Sequence, residues 1–343
     1  MNNQTLINIT QKNDIPLKKT AVLKDYIAIA RPDNWVKNVF MFPGMLFALS
    51  VFNTPLNIHL LLKIILGLAS ACLIASSNYV INEYLDADFD KFHPLKKKRS
   101  LVVHQVNPRL IYLEYTLMAL TGLFLASLIS YKFTLLSAFF LFMGVIYNVR
   151  PFRSKERVFL DVLTESINNP IRFCLGWFIF SPALGIPDSK WDLNWINTFP
   201  PASIVIAYWM GGAFLMATKR FAEYRVIGDP LVAGQYRRSF KFYTENSLLV
   251  SMFFYAITCA FFMGIFLIKD RIELLLSFPF FALLFSWYLR IGLLNDSPVQ
   301  GSEKLHTRKW FMLYLFLFTT MLCMLMFIRI PWLYWFLKNA NNY

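Results

Sequence analysis

Asn78, Asn82, Asp86 and Asp90 are spaced four apart, so their side chains climb one face of a helix in the stretch SNYVINEYLDADFDKFHPLKKKRS, residues 77–100. The helix begins in an apolar segment, Leu60 to Ala75, and runs into a cluster of Lys and Arg. Ionisable groups at membrane depth are costly, so they face a cavity, a partner or an ion. Carboxylates gathered on one side repel unless a divalent cation joins them. Mg²⁺ suits this pattern: it takes hard oxygen ligands and is commonly held by one or two carboxylates together with substrate phosphates. The plainer alternative is a solvated helix end whose acids pair with Lys91 and Lys96 to Arg99, which leaves Asn78 and Asn82 unexplained.

A second row follows. Asp161, Glu165, Asn168 or Asn169, and Arg172 recur at three- or four-residue intervals and share a face. Either Glu165 or Asn168 pairs internally with Arg172, or a second acidic helix faces the first across a cavity. Basic segments lie beside both rows: His93 to Arg99 with Lys96, and Tyr147 to Arg157 with Arg153 and Lys155. Lys219 and Arg220 close a later apolar span, where they snorkel or bind phosphate. The segment Tyr236 to Ser247 mixes aromatic, basic and hydroxyl residues. Lys and Arg are the natural partners of phosphate oxygens. Arg31 and Lys37 either face lipid phosphates or reach a phosphorylated substrate.

These residues need elements to hold them. The 343-residue chain is 57% hydrophobic and only 16% charged, which excludes an ordinary soluble domain. Hydropathy gives about nine spans, at 39–53, 59–85, 109–129, 132–148, 158–180, 201–219, 245–268, 274–294 and 310–337. The expected fold is an all-α polytopic membrane protein. Residues 1–22 are read as a flexible cytoplasmic N-terminus without a cleavable signal peptide, and 23–343 as one transmembrane domain. From Leu23 an interfacial helix lies on the membrane until Pro32 redirects the chain, with Trp35 in the headgroup belt. The net charge of +14 concentrates in the loops that an inside N-terminus makes cytoplasmic, so it reports membrane orientation and no nucleic acid is needed. Cys72, Cys174, Cys259 and Cys323 fall within spans, without metal-ligand or disulfide spacing.

The run Asn82-Glu83-Tyr84-Leu85-Asp86-Ala87-Asp88-Phe89-Asp90 resembles the first aspartate-rich motif, NDxxDxxxD, of the UbiA superfamily of intramembrane prenyltransferases. Three of its four fixed positions match, and Glu83 replaces the usual Asp. Arg31-Pro32 with Trp35-Val36-Lys37-Asn38, His93-Pro94-x-Lys96-x-x-Arg99, Lys219-Arg220-x-x-Glu223 and Tyr243-Thr244 resemble the branch of decaprenyl-phosphate phosphoribosyltransferases. The second motif departs from the pattern, since Asp161-x-x-x-Glu165 stands where Asp-x-x-x-Asp is common.

The resemblance implies a nine-helix bundle with a cavity opening sideways to lipid and an active site near the cytoplasmic face. It implies departure of a diphosphate held by Mg²⁺, with Asp86, Asp90 and Asp161 as catalytic residues. Asn82, Asp86, Asp90, Asp161 and Glu165 are the expected metal ligands. The expected substrate-binding residues are Lys37, Asn78, Lys96, Arg99, Tyr147, Arg153, Lys155, Asn168, Asn169, Arg172, Lys219, Arg220, Glu223 and Tyr243. Two transfers stay open: phosphoribose from phosphoribosyl diphosphate to a polyprenyl phosphate, or a prenyl group from its diphosphate to an aromatic or small polar acceptor. An ion-coupled transporter is the rival of another class. The expected partners are an isoprenoid lipid, a diphosphate-bearing donor and the lipids of a bacterial inner membrane; a homo-oligomer is left open.

Overall fold

Residues 19–52, 55–180, 199–295, 297–300 and 302–338 are described by a computed structural model. The first eighteen residues of the expected flexible segment lie outside them. Lys19–Thr20 (β1) pairs in parallel with His104–Gln105 (β2). The chain then forms α1, Leu23–Ile29, and Arg31 takes a left-handed conformation (φ 51°) before a 3-10 segment, Pro32–Met41. Pro32 supplies the fixed φ that starts this segment, so the redirection expected there occurs. Trp35, expected among headgroups, is part-exposed and donates its indole N–H to Ser76 Oγ at 2.8 Å, pinning the segment to the next helix but one.

That segment leads into α2, Phe42–Phe52, and then α3, Ile58–Asp90. At 33 residues α3 is about 50 Å long, against a hydrocarbon core of about 30 Å, so its acidic end projects beyond the apolar layer. The helix therefore continues through Asp86 and Asp90, past the boundary expected at residue 85. A short α4, Ser100–Val103, precedes α5, Pro108–Ser127, and α6, Tyr131–Asn148. Asn107 and Ser130 cap α5 and α6 through their side-chain oxygens.

The span expected at 158–180 is broken into α7, Leu160–Ser166, and α8, Asn168–Phe178. Pro170 lacks the N–H that Ser166 would accept, which explains the break. There follow α9, Ala202–Ile227, α10, Pro230–Tyr236, α11, Glu245–Asp270, α12, Phe278–Gly292, α13, Lys309–Phe327, and α14, Pro331–Lys338. The last expected span thus stops at Phe327, and Pro331 begins a separate helix. Among the described residues eight helical stretches are long and apolar enough to cross a membrane, close to the nine expected.

Helix α3 packs on α5 and α6, α2 on α8, and α9 on α7, α8 and α11. One apolar core gathers around α2, α3, α6 and α8, and a second around α9, α10 and α11. Helices α2 and α8 meet backbone to backbone: a Cβ on Gly44 would lie 1.9 Å from Phe173 O, and one on Gly176 2.0 Å from Met41 O. Only glycine permits that approach. It sets α8 against α2, and the polar residues of α3, α6, α7 and α9 surround one space.

Candidate active site

A cavity of about 450 Å³ opens where α3 and α6 face α7, α8 and α9. Asn78, Asn82, Asp86 and Asp90 line one wall, and Glu165, Asn168, Arg172, Lys219 and Arg220 the other. The two polar rows therefore do converge. Lys37, Lys96, Arg99 and Tyr147 also line the space.

Four acids at the wall, Glu83, Asp86, Asp90 and Glu165, are held by cations. Asp86 Oδ1 lies 2.6 Å from Lys155 Nζ and 3.2 Å from Arg153 Nη2. Asp90 is paired with Arg99, and Glu165 with Arg220. Glu83, which departs from the motif, is paired with Arg31 at 2.9 Å.

Arg220 is a hub. It is almost fully buried, meets Glu223 at 2.8 Å and Asp161 at 3.5 Å in addition to Glu165, and donates to Tyr147 Oη at 3.2 Å. Tyr147 in turn donates to Glu165 at 2.6 Å. Glu223 also accepts from Lys96 at 2.8 Å, joining the loop after α3 to α9. Burial works against the Lys96 charge, but the Glu223 carboxylate overcomes it and holds the ammonium pKa above its ordinary value.

Six residues expected at the substrate or metal lie off the cavity wall. Arg153 and Lys155 sit behind Asp86, and Glu223 sits behind Lys96 and Arg220. Asn169 packs its amide against Gly212 of α9, on the far face of α8. Tyr243 donates to Asp161 Oδ1 at 2.7 Å and accepts from the Phe159 amide. Asp161 is itself fully buried, bonded to Tyr243 and Ser239 and close to Arg220. Its carboxylate is a brace for Arg220, and the acid of this row that reaches the cavity is Glu165. Asp161 and Glu165 share α7 one turn apart, with Asp161 on the turn that packs against Ser239 and Tyr243. Of the two asparagines that spacing left open, Asn168 lines the cavity.

Of the internal partners expected for Arg172, Asn168 accepts from Nη1 through its backbone carbonyl at 3.3 Å; Nε donates to Asn38 Oδ1 at 2.9 Å, and the guanidinium covers the Phe140 ring. Several residues that spacing did not single out complete the site. Asn148 Oδ1 accepts from both Asn82, at 2.5 Å, and Lys155, at 2.8 Å. Tyr236 accepts from Lys96, and Arg237 donates to Tyr147 at 3.3 Å. Their one sequence signal was the aromatic and basic mixture between Tyr236 and Ser247. His93 folds back so that Nδ1 accepts from the Leu95 and Lys96 amides, which shapes the basic loop.

Among the described residues, no three His, Cys, Asp or Glu side chains form a ready cage for a metal. Of the expected metal ligands, Asn82, Asp86 and Asp90 on α3 and Glu165 on α7 reach the wall. Asn78 Oδ1 and Asn168 Oδ1 are buried there with no hydrogen-bond partner among the described residues. This donor set fits a Mg²⁺ that brings phosphate ligands with it, and it does not fit an all-protein cage.

The family model described as the UbiA prenyltransferase family matches residues 39–302. The chain belongs to that family. Decaprenyl-phosphate phosphoribosyltransferases of Mycobacterium tuberculosis and Mycolicibacterium smegmatis are 28% and 26% identical to this UbiA-family chain, over 64% and 65% of its length. The matches cover 65% and 63% of those relatives, just under two thirds. An uncharacterized protein of Sinorhizobium fredii, y4nM, is 27% identical over 49% of this chain and 32% of its own length. A UbiA homolog from Archaeoglobus fulgidus bound to GPP and Mg²⁺ shares the fold with a TM-score of 0.60 at 19% identity, covering 88% of this chain and 98% of that one. A structure of digeranylgeranylglyceryl phosphate synthase does so with a TM-score of 0.57 at 12% identity, over 89% and 98%. The UbiA-family chain is an integral membrane protein.

Proposed function

We propose that this UbiA-type transferase moves 5-phosphoribose from phosphoribosyl diphosphate to a polyprenyl phosphate. The observation that carries the reading is Lys219: it faces the cavity from α9 and makes no hydrogen bond or ion pair among the described residues, beside cations already tied to carboxylates. A donor with a diphosphate and a separate 5-phosphate, and an acceptor with its own phosphate, need such additional positive charge. The names of the mycobacterial relatives support the same choice.

Asn82, Asp86, Asp90 and Glu165 would hold Mg²⁺, which supplies charge neutralisation on the departing diphosphate. Lys219, Arg99 and Lys37 bind phosphate oxygens. Arg220 and Tyr147 fix Glu165, and Lys155 and Arg153 fix Asp86, so the acids are oriented before substrate arrives. An oxygen of the acceptor phosphate attacks the anomeric carbon of the ribose, and the bond from that carbon to the diphosphate oxygen breaks. The isoprenoid tail lies among the apolar side chains of the bundle, and the basic end faces the cytoplasm, consistent with the loop charges.

A second reading is prenyl transfer from a polyprenyl diphosphate, favoured by neighbours bound to GPP or DMAPP with Mg²⁺. Purified full-length protein in nanodiscs, given each labelled donor with Mg²⁺ and the matching acceptor, separates the two. Phosphoribosyl diphosphate should release diphosphate only when polyprenyl phosphate is present. Release from the prenyl donor alone would establish the second reading instead.

A further inference from the structure

The catalytic cavity continues behind Asp86. A constriction of about 30 Å³ is walled on the cavity side by Asp86, Asp90, Tyr236 and Arg237, and on the other by Arg153, Glu156 and Arg238. It has room for a water or two and is too small for a diphosphate. Beyond it lies an open vestibule of about 560 Å³, lined by Arg150, Arg153, Arg157, Arg238 and Lys241, with Glu156 the one acid among its described lining residues. Arg150, Arg157, Arg238 and Lys241 are exposed at its mouth.

Arg153 joins the two spaces. Its Nη2 lies 3.2 Å from Asp86 Oδ1 on the cavity side, and its Nε lies 2.7 Å from Glu156 Oε1 on the vestibule side. The other oxygen of Glu156 is 3.1 Å from Arg238 Nη1. One carboxylate therefore bridges two guanidiniums at the neck. A phosphate group presents the same charged oxygens to guanidinium groups and can exchange with Glu156 there. The excess of cations draws anions toward the mouth and holds them loosely enough to leave.

We propose that the vestibule is an oxyanion station through which inorganic diphosphate leaves the catalytic cavity, with Glu156 as the gate between Arg153 and Arg238. This rests on the reading that a diphosphate is displaced beside Asp86. The route separates a soluble, highly charged product from the apolar part of the cavity. Phe152 and Phe242 flank the mouth, so a phospholipid headgroup is the other source of phosphate to be tested.

The test is site-resolved modification of arginine by phenylglyoxal, mapped by mass spectrometry on full-length protein in phosphatidylcholine nanodiscs. Inorganic diphosphate with EDTA, at about ten times its half-saturating concentration, should slow modification of Arg157 and Arg238 roughly tenfold. It should leave exposed Arg109 unaffected. Asp86→Asn should give the same protection, so this arm reads the vestibule even if the transfer reading fails. Equal behaviour of Arg109 and Arg238 would overturn the site. Protection by phosphatidylglycerol nanodiscs and none by diphosphate would make it a headgroup site and overturn the proposal. Glu156→Gln and Arg238→Gln should each keep the first turnover and change steady-state turnover several-fold. Unchanged steady-state rates in both would overturn the exit role.

Discussion

Lys155 Nζ lies 2.6 Å from Asp86 Oδ1 and 2.8 Å from Asn148 Oδ1, joining the basic loop after α6 to the acidic face of α3. Burial pushes the Lys155 ammonium down to about 8, although Asp86 opposes the shift. The pair holds Asp86 from behind the cavity wall, whereas Arg99 and Arg220, which hold Asp90 and Glu165, line the cavity themselves.

Asp86→Asn keeps the shape of the side chain and removes the charge that Lys155 and Arg153 share. Diphosphate release should fall by about a hundredfold or more, the scale seen when one group stabilising developing charge is lost. Expression and helicity should be kept. A rate near wild type would remove Asp86 from the metal and diphosphate site.

The Lys96–Glu223 pair should be structural as well as electrostatic, because Glu223 is fully buried and the Lys96 side chain is only 17% exposed. Lys96→Met leaves Glu223 to Arg220 alone and should cost about 3 kcal/mol, the scale for breaking a buried pair. Lys96→Met with Glu223→Gln should recover part of that loss. Denaturant unfolding in detergent measures both, and equal stability of the single variant and wild type would contradict the pairing.

Gly144 lets α6 approach α3 at Asn78. A Cβ there would fall 1.9 Å from Asn78 Oδ1. Gly144→Ala should therefore displace Asn78 from the wall, raising the donor KM more than it lowers thermal stability. An unchanged KM would show that Asn78 does not meet the donor.

His93 links stability to pH. Burial first, and then the Lys96 charge, lower its pKa from 6.5 to about 3, and its Nδ1 must stay unprotonated to accept from the Leu95 and Lys96 amides. The unfolded chain binds a proton near 6.5 while the folded one does not, so the stabilisation is full above pH 6.5 and is lost as pH falls toward 3. The melting temperature should drop over that window, and His93→Gln should flatten the drop. An equal slope in the variant would exclude His93 as the source.

The chain's own order of residues determined that it crosses a membrane many times, and it placed Asn78, Asn82, Asp86 and Asp90 on one face, because apolar runs and four-residue spacing are local properties that α3 keeps along its whole length. It also marked Glu165, Arg172, Lys219 and Arg220, all found at the cavity. What spacing could not supply was partner choice. Glu165 meets Arg220 across 55 positions, and Lys96 meets Glu223 across 127, and such pairs exist only once α9 is packed on α7 and the loop after α3 has closed over both. Packing against Ser239 and Tyr243 likewise buries Asp161, and Asn169 packs against Gly212 of α9. Spacing tells which side chains share a helix face, whereas which turn of that face meets the cavity and which meets a neighbouring segment is decided by the packing of the other helices.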